Sequence, residues 1–171
     1  MRAKLTTLVL MFLTASTVAL LVAQQPAKQA PQPDKTYTSA KEVVAMMAKA
    51  KSERKQDQAN FIQTILRLAP YSANLEYRGA VGPAATHEKE AEMFFVMDGG
   101  GTLVTGGKLV GETRTNAENL SGTAIDGGKS QAVAKGDFFI VPENTPHWFS
   151  KIDGTLVLMS LHVPRQVPAA R

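Results

Sequence analysis

From Phe61 to Val163 the apolar residues come in short runs, punctuated by turn formers such as glycine, proline and aspartate. Phe61–Leu68, Asn74–Tyr77, Met93–Met97, Thr102–Val104, Lys108–Val110, Phe138–Val141 and Thr155–Val163 all read as strands. No stretch between them carries a long helical pattern. Strands in such close succession must pair with their neighbours, so the expected domain is all-β, a sandwich or small barrel with mostly antiparallel pairing. Thirteen glycines and nine prolines supply the tight turns this needs. Gly106–Gly107 is a two-residue link of the kind that makes a hairpin turn with positive φ. Residues 112–128 are polar and rich in Asn and Gly, and read as a long loop, either an inert insertion or a lid over a site.

The chain before Phe61 has a different character. Arg2 and Lys4 precede Leu5–Ala23, nineteen residues without a charge. That is the form of a secretory signal cleaved near Ala23, with an uncleaved membrane anchor as the competing reading. Thr14, Ser16 and Thr17 dilute the apolar stretch and favour cleavage. The absence of cysteine excludes both disulfides and a lipid-modified N-terminus. QQPAKQAPQPDK, residues 24–35, lacks large apolar residues and reads as an extended linker. Ser39 and Glu42 then have capping-box spacing, followed by Val43, Met46, Met47 and Ala50 at helical intervals. The methionine pair is read as a packing face. The expected organisation is a signal peptide over 1–23, a linker over 24–38, a helix over 39–56 and a β-barrel over 57–166.

The formal charge of +4 falls when Arg2 and Lys4 are set aside, leaving seventeen basic against fifteen acidic residues. The basic residues form no stripe and no aromatic interleaving, which argues against nucleic-acid binding.

Chemistry concentrates at two places. His87 and Glu92 flank a polar turn, Glu88-Lys89-Glu90, and His147 follows Pro142 and Pro146 beside Trp148, the sole tryptophan. If His87 closes one strand and Glu92 opens the next, both can point into one cavity, and the prolines fix the angle at which His147 is delivered. Two imidazoles and a carboxylate suit a divalent transition metal and leave positions open for a ligand. His162, in LMSLHVP, alternates onto the side of Leu158 and Ser160 and is read as a structural histidine ahead of a catalytic one. Trp148 and Phe149 read as core before a sugar-stacking platform, and Lys151 as solvent-exposed. The glycine runs at 99–101 and 126–128 read as turns, lacking the context of a phosphate loop.

With these residues in view, the sequence resembles the cupin superfamily. That family's first motif has glycine, histidine, histidine, glutamate and glycine at set intervals, and here the frame falls on Gly79, Ala85, His87, Glu92 and Gly99. The second has glycine, proline, glycine, histidine and asparagine, and falls on Gly136, Pro142, Asn144, His147 and Lys151. Seven of ten positions match, with Ala85, Asn144 and Lys151 departing. The resemblance covers roughly Phe61 to Val163 and implies a small cupin barrel preceded by a helix. Cupins with both motifs intact hold a metal through three histidines and a glutamate. Carry-over therefore gives His87, Glu92 and His147 as metal ligands and no donor at Ala85.

Three readings of that gap stay open. Three ligands hold the metal with an extra open position; a neighbour such as Glu88, Glu90 or His162 compensates; or the site has decayed and binds an organic ligand.

The expected protein is an exported, secreted or periplasmic cupin that binds a divalent ion, with Fe, Mn, Zn and Ni indistinguishable, and acts on or binds a small polar molecule. Glu92 doubles as a catalytic base if it leaves the metal. The superfamily's isomerases, oxygenases and lyases are equally open. The alternative is a metal-free module that binds or senses a sugar or organic acid. The expected partners are small molecules and, at most, a second copy in a homodimer, with no membrane contact after cleavage.

Overall fold

The computed structural model describes residues 32–165. The expected signal peptide, and the linker up to residue 31, lie outside them. Among the described residues no helix is long and apolar enough to cross a membrane.

One helix, α1 (Ala40–Glu53), precedes the strands β1 (Asn60–Leu68), β2 (Tyr71–Arg78), β3 (Ala84–His87) and β4 (Glu90–Thr105). There follow β5 (Lys108–Val110), β6 (Thr113–Arg114), β7 (Asn119–Gly122), β8 (Ala124–Asp126), β9 (Lys129–Ala134), β10 (Phe138–Val141) and β11 (His147–Pro164). All pairings between these strands are antiparallel. The main sheet runs β1-β2-β11-β3-β7-β6, and β4 joins it through β11 while also pairing with β9 and β10.

The two long strands, β4 and β11, pair along nearly their whole lengths, from His147 against Thr105 to Pro164 against Glu90. A flat ribbon of that length would not enclose anything. Register shifts between Phe149 and Lys151 and between Ile152 and Leu156 bend it. The glycine run at 99–101 sits at this bend. A Cβ on Gly99, whose φ is +76°, would come 1.9 Å from the Thr155 carbonyl oxygen, and one on Gly101 would come 2.3 Å from that of Lys151. Only glycine permits the two backbones to approach so closely. The run is therefore a bend inside one strand, where the sequence pattern suggested a turn between two.

Strand alternation sorts the core into two clusters. Inward-facing Phe94, Val96, Leu103, Phe149, Leu156 and Leu158 fill the barrel. On the opposite face of β2 and β11, Ala73, Leu75 and Val157 pack with Ala50 of α1, and Met46 and Met47 rest against them. The methionine pair is thus a packing face. Fully burying a side chain such as Phe94 or Leu75 contributes about 1.5–3 kcal/mol. The end of the linker is also engaged: Lys35 bridges to Arg67, and the Thr38 hydroxyl donates to the Ile65 carbonyl.

Two local expectations change. Gly106 and Gly107 do have positive φ, but β5 pairs with β8 rather than returning along β4. Residues 112–128 contain β6, β7 and β8 instead of a loop, and β7 lies directly against β3. Hydrogen bonding to neighbouring strands offsets the weak strand propensity of this polar stretch.

Candidate metal centre

Three strands bring the site together. His87 ends β3, Glu92 lies near the start of β4, and β11 contributes both His147, its first residue, and His162, close to its end. The bend in β11 lets residues fifteen positions apart reach one carboxylate. His162 stands directly opposite Glu92 in the β4–β11 register, and His147 opposite Ala85 of β3.

Glu92 is the hub. Its Oε2 lies 3.2 Å from His87 Nε2 and 3.2 Å from His147 Nε2, while its Oε1 lies 3.4 Å from His162 Nε2. Glu92 and His147 are buried, at 4% and 6% exposure.

The outer nitrogen of each ring faces an oxygen acceptor. His87 Nδ1 donates to Asn119 Oδ1 at 2.8 Å, His147 Nδ1 to the Thr145 carbonyl at 3.3 Å, and His162 Nδ1 to Glu90 Oε1 at 2.7 Å. Such bonds fix the tautomer, leaving each Nε2 as a bare lone pair turned toward Glu92. Three lone pairs against a carboxylate repel one another unless positive charge sits among them. One divalent ion would balance the charges of Glu92 and Glu90 with all three rings neutral. Donors bound about 2.1 Å from a common ion stand roughly 3.0–3.4 Å apart at adjacent positions, the range of the separations above. His87, Glu92 and His162 offer ligand atoms all within 4.8 Å of one another, a group that leaves out His147, whose tie to the site is its 3.2 Å approach to Glu92. The donor set fits a metal ion.

When protons rather than an ion supply that positive charge, Nε2 carries one, and the proton equilibria reflect the same demand. Burial works to raise the Glu92 pKa, but hydrogen bonds from His147 and His87 and the charges of His147 and His162 prevail, holding it far below the usual carboxylate range. Burial works to lower that of His87, yet its hydrogen bonds to Glu92 and Asn119 and the nearby charges of Glu92 and Glu90 hold it above its ordinary value.

The three residues singled out from sequence, His87, Glu92 and His147, are brought together. His162, read first as structural, joins them and supplies a third imidazole where Ala85 has none. Its alternation with Leu158 and Ser160 was the available signal, since that is the barrel-facing side. Asn119 was missed, because nothing in its polar stretch distinguishes it from Asn116; only the β3–β7 register, with His87 opposite Asn119, reveals it. Glu88 is turned away to a two-point ion pair with Arg114. Trp148 donates to the Gly82 carbonyl at 2.9 Å, Phe149 is core, and Lys151 is an exposed partner of Asp153.

The four residues line a cavity of about 420 Å³ together with Ala85, Pro83, Asn60, Ile62, Glu76 and Arg78. This falls within the ordinary size of small-molecule sites.

A barrel of antiparallel strands with histidines and a glutamate converging inside it defines a class of β-barrel proteins with a candidate metal centre. A family model described as Cupin matches residues 49–164, and the chain belongs to that family. No curated protein matches the chain. Solved structures similar to it include KdgF from Halomonas sp., at 17% identity and TM-score 0.44, covering 66% of this chain and 86% of that one. An rmlc-like cupin protein from Desulfovibrio desulfuricans has 16% identity and TM-score 0.47, with coverages of 65% and 88%. A cupin superfamily protein from Desulfitobacterium hafniense DCB-2 has 8% identity and TM-score 0.46, with coverages of 68% and 87%.

Proposed function

We propose that His87, Glu92, His147 and His162 hold one divalent metal ion, and that the chain uses it to bind or transform a small polar molecule in the adjoining cavity. The observation that carries this reading is the common orientation of the three rings, each with Nδ1 tied to an oxygen and Nε2 aimed at Glu92. A bound ion supplies Lewis acidity toward a ligand oxygen. The protein's own contribution is to fix the rings, keep the Glu92 carboxylate ionised and shape the cavity. If the centre is catalytic, Glu92 is the carboxylate placed to take a proton, since Glu76 is committed to Arg78 and Glu90 to His162.

Elemental analysis of the protein purified without chelator tests the reading, and should find close to one transition-metal ion per chain. Alanine at His87, His147 or His162 should each lower occupancy strongly, with His162→Ala comparable to the other two. Asn119→Ala should weaken affinity about 10- to 100-fold, the usual effect of losing an orienting partner. Full occupancy in all three histidine variants would overturn the assignment. A metal-free wild type that still binds a sugar or organic acid would instead favour the module without catalysis.

The proposal extends to location: the segment before residue 24 directs export, and the working protein is secreted or periplasmic.

A further inference from the structure

The cavity contains a second built polar group apart from the four candidate ligands. Arg78 and Glu76 share one face of β2, and Asn60 lies opposite Arg78 on β1. Arg78 Nε donates to Glu76 Oε2 at 3.0 Å, Nη2 donates to the same oxygen, and Asn60 Nδ2 donates to it at 2.9 Å. Glu76 is 4% exposed. The Arg78 guanidinium carbon lies 4.7 Å from the centre of the Phe149 ring. The cation is thus held along one edge by a buried carboxylate and across one face by an aromatic ring.

That arrangement leaves the other edge unused. A guanidinium has five N–H donors in a rigid fork, and Glu76 takes the pair formed by Nε and Nη2. Nη1 has no acceptor among the described residues, and Arg78 lines the same cavity as His87, Glu92, His147 and His162. The remaining edge, formed by Nη1 and the second Nη2 proton, matches the two oxygens of a carboxylate. A hydroxyl would satisfy one N–H without charge. An amine would meet a cation.

We propose that Arg78 is the docking residue for the carboxylate of a small acid, whose second oxygen, a hydroxyl or carbonyl, reaches toward the His87–Glu92–His147–His162 centre. The proposal deepens the functional reading above and, for that second oxygen, rests on it. Glu76 and Asn60 are positioning residues that hold the fork in place. The cavity thereby favours hydroxy or keto acids over neutral sugars.

Two probe pairs that differ only in a carboxylate against a CH₂OH group test this: glycerate with glycerol, and gluconate with sorbitol. Ligand-observed NMR on the zinc-loaded full chain should show each acid binding at least tenfold more tightly than its alcohol. Arg78→Gln should remove that preference with zinc content unchanged, and Arg78→Lys, which keeps the charge and loses the fork, should restore only part of it. Equal binding of acid and alcohol to the wild type, or undiminished acid binding by Arg78→Gln, would overturn the proposal. Should Arg78→Gln fail to fold by circular dichroism, Arg78→Lys decides, and unweakened acid binding there counts against it. If the wild type takes up no zinc, the metal reading falls separately. The same comparison on the zinc-free protein then decides the role of Arg78, a lost preference supporting it and a retained one refuting it.

Discussion

Asn144 stands where the second cupin motif has glycine, and its backbone shows why the exchange works. Its φ is +58°, the left-handed region, and its N–H donates to the His87 carbonyl at 2.6 Å. Asparagine is among the few non-glycine residues that visit this region readily. The apparent mismatch therefore preserves the turn between β10 and β11 and ties it to a candidate ligand. Asn144→Gly should leave stability nearly unchanged, whereas Asn144→Val should cost about 1–3 kcal/mol through backbone strain, measured by urea unfolding. Equal stability of the two variants would show that the turn does not depend on this conformation. The other departure, Ala85, was legible as a missing donor but not in its remedy. His162 lies seventy-seven positions downstream in the sequence, and motif spacing carries no information across that distance.

At the scale of elements, legibility followed local physics. The start of α1 was readable because the capping box is a contact between residues three apart: the Ser39 hydroxyl accepts from Glu42 N–H, and the Glu42 carboxylate accepts from Ser39 N–H. Ser39→Ala should lower stability by about 1 kcal/mol, and an unchanged denaturation midpoint would mean that the capping box adds nothing to the folded state. The hydrogen bonds from the Ser39 hydroxyl and backbone hold the Glu42 pKa below its ordinary 4.5. A lowered folded-state pKa contributes stability above pH 4.5 that is lost as the pH falls through the folded value. Glu42→Gln should flatten that part of the curve of melting temperature against pH. The strands β5 and β10 were read at their observed limits, because apolar runs there end at Gly111 and Pro142. By contrast β6, β7 and β9 are short or largely exposed and polar. They are strands because neighbours hold them there, a cause outside any local window. The same holds for β4 and β11, whose glycine bends look like ends in sequence.

For the whole molecule, a single barrel with a helix on its outer face was foreseeable from the change of pattern at Phe61, and the described residues bear that out. The proposed export concerns the segment ahead of residue 24, where two basic residues precede an uncharged stretch. Mass spectrometry of the native protein should find an N-terminus near Gln24. A soluble cytoplasmic chain that still begins at Met1 would refute export, and one retained in the membrane would support the anchor instead.

The chain contains no cysteine, so no covalent bond staples its strands to one another. The donors at positions 87, 92, 147 and 162 come from three strands and from both ends of the longest. An ion shared by all four would act as a reversible rivet, closing a loop of some fifty residues between Glu92 and His147 whose ends an unfolded chain must bring together at an entropic cost. Binding free energy at such a centre is also folding free energy. The residues that equip the cavity for chemistry would then double as the clasp of the barrel, and the durability of the fold would rise and fall with the supply of metal around it.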